Sequence, residues 1–488
     1  MSLYNLESIF KPESVAVIGA SEKQGTIGRA LMENLVQAEF AGDVYPVNPK
    51  YDNLFGHKAY GKIAKTPAAV DMAVIAVPLA KVPTIIEECV AAGVKGAIII
   101  SAGGKETGAE GRKLEENIKK KAERGGLRII GPNCMGIICP AHHFNASFAA
   151  HMPSAGSLAF ISQSVAICSS MLDLSLQERM VFRHFISSVS MLDVDFGDLL
   201  DYVGSDPQVN SVLLYIESLT HFRKFMSAAR AVSRMKPVIV LKSGRSAIGA
   251  KAAASHTGAM AGEDHIYDAA FQRAGAVRVN TLQDFFNCAE LLAKQSRPSG
   301  KRVTIVSNSG GPAVMAVDTI EHYHLQPGSL SEATIEKLDA ILPSPWSRGN
   351  PIDILGDATA ERYAKVVECL DPADIDGLLV ILNPQAMTDP AEVAEALIKA
   401  LENKSYIAFA CWMGGRDVEQ GIEILNDAGI PTYDTPEQAI KSFMYLYHYA
   451  ENLKLLQEIP PKMTRELRFD HATARELVDT GCQRENGL

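Results

Sequence analysis

The chain has 488 residues, 47% hydrophobic and 21% charged, with a formal net charge of −10. That length holds about three folded domains, and the composition excludes a disordered chain. The acidic balance excludes a general attraction to nucleic acid, leaving room only for a local basic pocket around a phosphorylated ligand.

Short β-branched and apolar runs alternate with helix-length amphipathic segments, the pattern of parallel sheets covered by helices on both faces. The fold class is therefore α/β. Strands are expected at 14–19, 44–48, 72–77, 96–101 and 128–131, making a Rossmann-like domain within residues 1–150. A second set runs from Gly156 through 182–187, 211–217, 237–242 and 276–279, making a doubly wound domain over 151–297. The polar SRPSGK stretch after it reads as a linker. A third set, 302–308, 377–382, 407–412 and a run near Pro431, fills 298–460. Residues 461–488 offer one helix and no further strand, and read as a linker or the start of another region.

Eight cysteines, from Cys89 to Cys482, form no CxxC pair and no metal-ligand spacing. They read as reduced core thiols, with a cytoplasmic location as the default and no metal site. The opening MSLYNLESIF has no signal-peptide pattern, and no long apolar run follows.

The first motif is VIGASEKQGTIGRALMENL, in which a strand runs into Gly19, a loop carries Gly25 and Gly28, and a helix starts at about Thr26. Glycines admit a pyrophosphate and a helix start favours anions. Taken alone the motif fits NAD(P), CoA or a structural turn. Lys50 stands where a dinucleotide site places an acidic residue, and a cation suits a phosphate better than a ribose. Val77-Pro78, Ser101 to Gly104 with Glu106, and Gly131-Pro132-Asn133-Cys134-Met135-Gly136 close the following strands. They read as ligand-edge loops or as turns chosen for backbone shape.

The second constellation is SGRSAIGAKAAASHTGAMAGEDHIYDAAFQRAG, with His256 among small residues in a Gly/Ala/Ser segment expected to be flexible. A phosphate on that imidazole would need small neighbours and N–H donors, and imidazole is a competent phosphate carrier near neutral pH. Glu217, ending SVLLYIES, is either a partner for the other ring nitrogen or a solvated strand-end carboxylate. Ser162-Gln163-Ser164 before a helical run is a second candidate phosphate loop. Ser309-Gly310-Gly311 and Asp353 in the third domain are assigned no catalysis.

The GASxxxGxxG loop, GPNCMG, ISQS and KAAASHTGAMAGED, in that order, resemble motifs of the NDP-forming acyl-CoA synthetases, relatives of succinyl-CoA synthetase, over about residues 5 to 460. The resemblance implies a Rossmann-like CoA-binding domain followed by two flavodoxin-like ligase domains. It implies an ADP-forming ligase that interconverts acyl-CoA, ADP and phosphate with acid, CoA and ATP through acyl phosphate and a phosphohistidine. Acetate is the family's common acid. On the matching positions it implies that His256 carries phosphate with support from Glu217. Ser162, Ser164 and Gly258 would bind phosphate, and Gly19, Ser21, Gly25, Lys50, Val77, Pro78, Ser101 and Asn133 would surround CoA. ATP or ADP with Mg²⁺ would bind only through an ATP-grasp partner subunit or domain, in an oligomer.

Val165 and Val189 stand where the family usually has glycine. A β-branched residue resists positive φ and fills space. A catalytically degenerate CoA-binding regulatory protein is therefore the alternative, and an NAD(P) oxidoreductase a third reading that leaves the histidine segment unexplained.

Overall fold

The computed structural model describes residues 3–177, 180–257, 263–402, 404–458 and 470–482. Two units separate, Met1–Leu456 and Gln457–Leu488. The first contains three main sheets, each built from strands in the doubly wound order 2-1-3-4-5.

The first sheet is wholly parallel, in the order Asp43–Val47, Ser14–Ile18, Met72–Ile75, Gly96–Ile99, Arg128–Ile130. Side chains alternate between its faces, as the two-residue period of a strand requires. Ala16, Ile18, Ala73, Ile75, Ala97 and Ile99 enter one apolar layer. Val15, Val17, Met72, Val74 and Ile98 enter another, which they share with Ala159, Ile161, Val212, Leu214, Val238 and Val240 of the second sheet.

The second sheet runs Val277–Val279, Val238–Lys242, Ser211–Ile216, Ala155–Ser162, Phe182–Ser187, and then a hairpin of Gly136–Cys139 and Phe144–Ser147. The hairpin joins antiparallel, Ile137 opposite Ile186, and lies within the segment 1–150 while completing the sheet of the next segment. Gly136 permits this because it has φ +117°, and a Cβ there would lie 2.1 Å from the Ala146 carbonyl oxygen.

The far face of the second sheet (Phe160, Phe182, Phe185, Leu213, Ile239) shares a core with Val303, Ile305, Leu379, Ile381 and Phe409 of the third. That third sheet runs Gln326–Pro327, Arg302–Ser307, Gly377–Leu382, Ile407–Trp412, Thr432–Tyr433, with Ile352–Asp353 also on Arg302–Ser307. Its outer face packs in a separate layer around Trp412 and Tyr363.

Polar anchors hold the first two sheets in register. Arg128 Nε meets Asp193 Oδ2 at 2.9 Å, and Asn34 Nδ2 donates to the Ser147 and Ala149 carbonyl oxygens at 2.7 and 2.9 Å.

The segment around His256 departs from the expected flexible loop: Ala247–Thr257 is a helix, and His256 is on its last turn. Alanine is the strongest helix former, and KAAAS sits inside this helix. Ser246 caps its start, its Oγ accepting the Gly249 N–H at 3.0 Å. Among the described residues no helix is long and apolar enough to cross a membrane.

The unit Gln457–Leu488 contains the helix His471–Cys482, capped by Asp470, whose Oδ1 accepts the Ala472 and Thr473 N–H groups at 3.1 and 3.0 Å.

Candidate functional site

Gly19, Ser21, Gly25, Lys50, Val77, Pro78, Ser101 and Asn133 all follow the C-terminal ends of the parallel strands of the first sheet, the edge where doubly wound folds bind ligands. Gly19 has φ +97°, and a Cβ there would come within 2.6 Å of the Ala76 carbonyl oxygen. Gly28, in the first turn of Ile27–Gln37, is closer still, its Cβ position 2.0 Å from the Gly19 carbonyl oxygen. Strand and helix therefore meet backbone to backbone. Thr26, the cap residue, is extended and makes no side-chain bond to the helix N–H groups. Those donors and the positive helix end suit a pyrophosphate. Around Gly25, at φ +72°, a Cβ would meet nothing within 4 Å.

The loop is braced from within. Ser21 Oγ accepts the Lys23 N–H at 3.0 Å, Asn48 Nδ2 donates to the Ala20 carbonyl oxygen at 2.8 Å, and the Lys50 N–H donates to Asn48 Oδ1 at 3.0 Å. The Lys50 side chain is exposed at the rim. Further along the edge, Ser101 Oγ donates to the Val77 carbonyl oxygen, and the Asn133 N–H donates to the Ser101 carbonyl oxygen at 2.9 Å. Glu106 Oε1 accepts the Gly103 N–H at 2.8 Å and Asn133 Nδ2 at 3.4 Å. The free helix start and the open glycine turn fit a nucleotide-type ligand such as CoA.

In the second sheet Ser162 and Ser164 form a closed turn. Ser162 Oγ accepts the Ser164 N–H and donates to the Ser164 carbonyl oxygen, both at 3.0 Å, and Ser164 Oγ accepts the Ile167 N–H at 3.3 Å. Between them Gln163 reaches the next strand tip, Oε1 accepting the Glu217 N–H at 2.7 Å. Glu217 is buried at that tip. Below it Lys242 is buried with its Nζ donating to the Ser243 carbonyl oxygen and lying 4.6 Å over the Tyr267 ring; burial pushes its pKa down.

The two edges meet. The Ser188 N–H donates to the Ser162 carbonyl oxygen at 2.9 Å, Ser188 Oγ accepts the Gly131 N–H at 3.3 Å, and Ser187 Oγ accepts the Met135 N–H at 3.0 Å. Lys105 Nζ donates to the Ser190 carbonyl oxygen at 2.9 Å, while Glu115 Oε1 accepts the Lys105 N–H at 3.0 Å and the Ser190 hydroxyl at 3.1 Å. Burial lowers the Lys105 pKa and raises that of Glu115. The helix Ala247–Thr257, which carries His256 on its last turn, packs against the short turn Lys105–Thr107 that follows a strand of the first sheet. The His256 side chain and the whole of Gly258 lie outside the described residues.

Lys105 and Glu115 escaped sequence reasoning because their role depends on contact with Ser190, 85 and 75 residues away. The Ser-Gln-Ser turn also has an undetected twin in the third domain. Ser307 Oγ accepts the Ser309 N–H at 3.0 Å and donates to its carbonyl oxygen at 2.7 Å, and Asn308 Oδ1 accepts the Asn383 N–H at 2.9 Å. Asn383 thus occupies the place of Glu217. The matching strings FISQS and IVSNS were the available signal.

Neither Val165 nor Val189 is among the residues with positive φ. Val165 opens the helix Val165–Gln177 and packs against the core between the second and third sheets. The conformational objection to a β-branched residue therefore does not apply at either position.

These features define a CoA-binding chain with a ligase-type doubly wound domain, and comparison with known proteins agrees. Residues 13–140 match the CoA binding domain family and 155–292 the succinyl-CoA ligase like flavodoxin domain. The chain is 40% identical to an ADP-forming acetate–CoA ligase of Archaeoglobus fulgidus, across 97% of its own length and 67% of that protein. It is 38% identical to the alpha subunit of ADP-forming acetate–CoA ligase I of Pyrococcus furiosus, covering 92% of itself and 98% of that subunit. A solved dinucleotide forming acetyl-coenzyme A synthetase 1 of Ca. Korarchaeum cryptofilum, in complex with phosphate and ADP, superposes with a TM-score of 0.87 at 35% identity, covering 92% and 98% of the two chains. The chain belongs to the ADP-forming acyl-CoA synthetase family. It spans 67% and 64% of the ADP-forming acetate–CoA ligases of Archaeoglobus fulgidus and Methanocaldococcus jannaschii, and 98% of the alpha subunit.

Proposed function

We propose that the chain is the CoA-handling and phosphohistidine-carrying module of an ADP-forming acyl-CoA synthetase, acting on acetate or a similar short acid with an ATP-grasp partner. The observation that carries this is the packing of the His256 helix against the ligand edge of the CoA-binding sheet. Phosphate attacks the thioester carbonyl of acyl-CoA, the C–S bond breaks, and acyl phosphate and CoA result. An imidazole nitrogen of His256 then attacks phosphorus, and the acid leaves as the P–O bond to the acyl group breaks. Glu217 supports the charged phosphohistidine, with Ser162, Ser164 and Gly258 around the phosphate. The partner takes the phosphoryl group to ADP and supplies the Mg²⁺ site. The near-complete match to an alpha subunit supports a separate or fused partner. Seven described cysteines are free thiols, six of them buried, which supports a reducing, cytoplasmic setting.

Acetyl phosphate and Mg²⁺ test the reading without the partner. Acid-labile phosphate on the parent chain and none on His256→Ala is the expected result by intact mass. Absence of label on the parent chain overturns it.

A further inference from the structure

Glu106 sits on the turn Lys105–Thr107, against which the His256 helix packs. Its two carboxylate oxygens are not equivalent. Oε1 is engaged by the Gly103 N–H at 2.8 Å and by Asn133 Nδ2 at 3.4 Å. Oε2 is shielded from solvent and has no hydrogen-bond donor among the described residues. A shielded carboxylate oxygen without a donor is costly to leave so, because it gives up water and receives nothing in return. The turn is not free to move Glu106 to a better place. Gly103 is held at φ +111°, a Cβ on Gly104 would lie 2.0 Å from Glu115 Oε1, and Glu115 fastens the Lys105 N–H to Ser190. The carboxylate is therefore held rigidly, with one oxygen reserved, between the CoA edge and the phosphohistidine helix.

Resting on the function proposed above, we propose that Glu106 Oε2 receives the proton of the CoA thiol, making Glu106 the general base for acyl-CoA formation and the general acid for its reversal. CoA enters as a substrate whose reactive end is a weak S–H donor, and that thiol must meet the acyl phosphate which His256 makes or consumes, which brings it toward the turn that the His256 helix packs against. In the forward direction the sulfur lone pair attacks the carbonyl carbon of acyl phosphate, the C–S bond forms, and the S–H proton passes to Glu106 Oε2. The C–O bond to phosphate then breaks, with the electron pair leaving on phosphate. In reverse, Glu106 returns the proton to the departing thiolate. Asn133 keeps the other oxygen occupied, so the proton has one destination. The nearby Lys105 ammonium favours the ionised carboxylate, the form that can accept the proton.

The test compares the parent chain with Glu106→Gln in two half-reactions, neither of which needs a nucleotide. His256 phosphorylation by acetyl phosphate remains within two-fold, whereas acetyl transfer from acetyl phosphate to CoA falls about 100-fold or more, the ordinary worth of a positioned base. The residual rate then follows the thiolate fraction of CoA as pH rises. A binding readout accompanies this: a carboxylate next to the thiol disfavours thiolate, so the thiol pKa of bound CoA, followed by thiolate ultraviolet absorbance, falls in the variant. Unchanged transfer and an unchanged thiol pKa in Glu106→Gln overturn the base and leave the His256 reading standing. A parent chain that neither takes up phosphate nor acetylates CoA overturns that reading and this proposal with it.

Discussion

Gln163 and Glu217 are joined across two strand tips: Gln163 Oε1 accepts the Glu217 N–H at 2.7 Å while its Nε2 donates to the Ser218 carbonyl oxygen at 3.0 Å. One buried amide thus sets the position of the carboxylate assigned to the phosphohistidine by satisfying the backbone on either side of it. Gln163→Ala leaves those groups without partners, and unfolding stability falls by about 1–3 kcal/mol, measured by urea denaturation. His256 phosphorylation slows in the same variant because Glu217 loses its anchor. Asn308→Ala, which breaks the twin arrangement at Asn383, lowers stability by a similar amount.

Gly28→Ala places a methyl group 2.0 Å from the Gly19 carbonyl oxygen. Neither backbone can yield cheaply, and the expected cost is about 1–3 kcal/mol. The strand-to-helix turn opens, and CoA affinity measured by calorimetry falls at least about ten-fold, because 1.4 kcal/mol of misalignment is enough for that. Label from acetyl phosphate on His256 is retained, since the second sheet is untouched.

Val165→Gly and Val189→Gly leave phosphorylation of His256 within two-fold, because neither valine is in a conformation that only glycine adopts. At Val165, which opens a helix and whose side chain packs against the core, the substitution lowers stability by about 1–3 kcal/mol, through lost packing as well as helix propensity. A large gain in either variant would restore the degenerate reading.

His184 is fully buried, its Nε2 3.1 Å from Asp206 Oδ2 and its Nδ1 3.6 Å from Cys139 Sγ. Burial pushes its pKa down to about 4 against the opposing pull of Asp206. Burial would raise the Asp206 carboxyl, but bonds from Arg183, the Gln208 N–H and His184 together hold it at about 2. Between the ordinary histidine value of 6.5 and about 4 the unfolded chain binds a proton that the folded chain refuses. Stability therefore rises with pH across that window and is lost on acidification, by up to about 3 kcal/mol. Asp206 adds a further loss as pH falls below the ordinary carboxylate value. Urea midpoints across the window check this, and His184→Gln, which has no proton to gain, flattens the upper part of the slope.

The parallel strands were legible because their burial on both faces leaves continuous apolar runs: SVAVI, MAVI and GLLVIL each coincide with an observed strand. The glycine loop was legible because close backbone approach leaves no other residue type for Gly28. The hairpin of Gly136–Cys139 and Phe144–Ser147 was not, since a strand's own pattern does not say which sheet it joins. The segment around KAAASHT reads as flexible from its Gly, Ala and Ser content, whereas alanine propensity makes it helical.

The sequence by itself determined the α/β class, the order of the ligand loops and the family, because each is written in local pattern: periodicity, glycine spacing and ordered motifs. Only the tertiary structure decided that the turn carrying Lys105 and Glu106 meets the His256 helix, that Glu115 ties that turn to Ser190, and that Asn383 answers to Glu217. Those relations join residues far apart in the chain, and side-chain contacts of that kind exist only once three sheets share their cores.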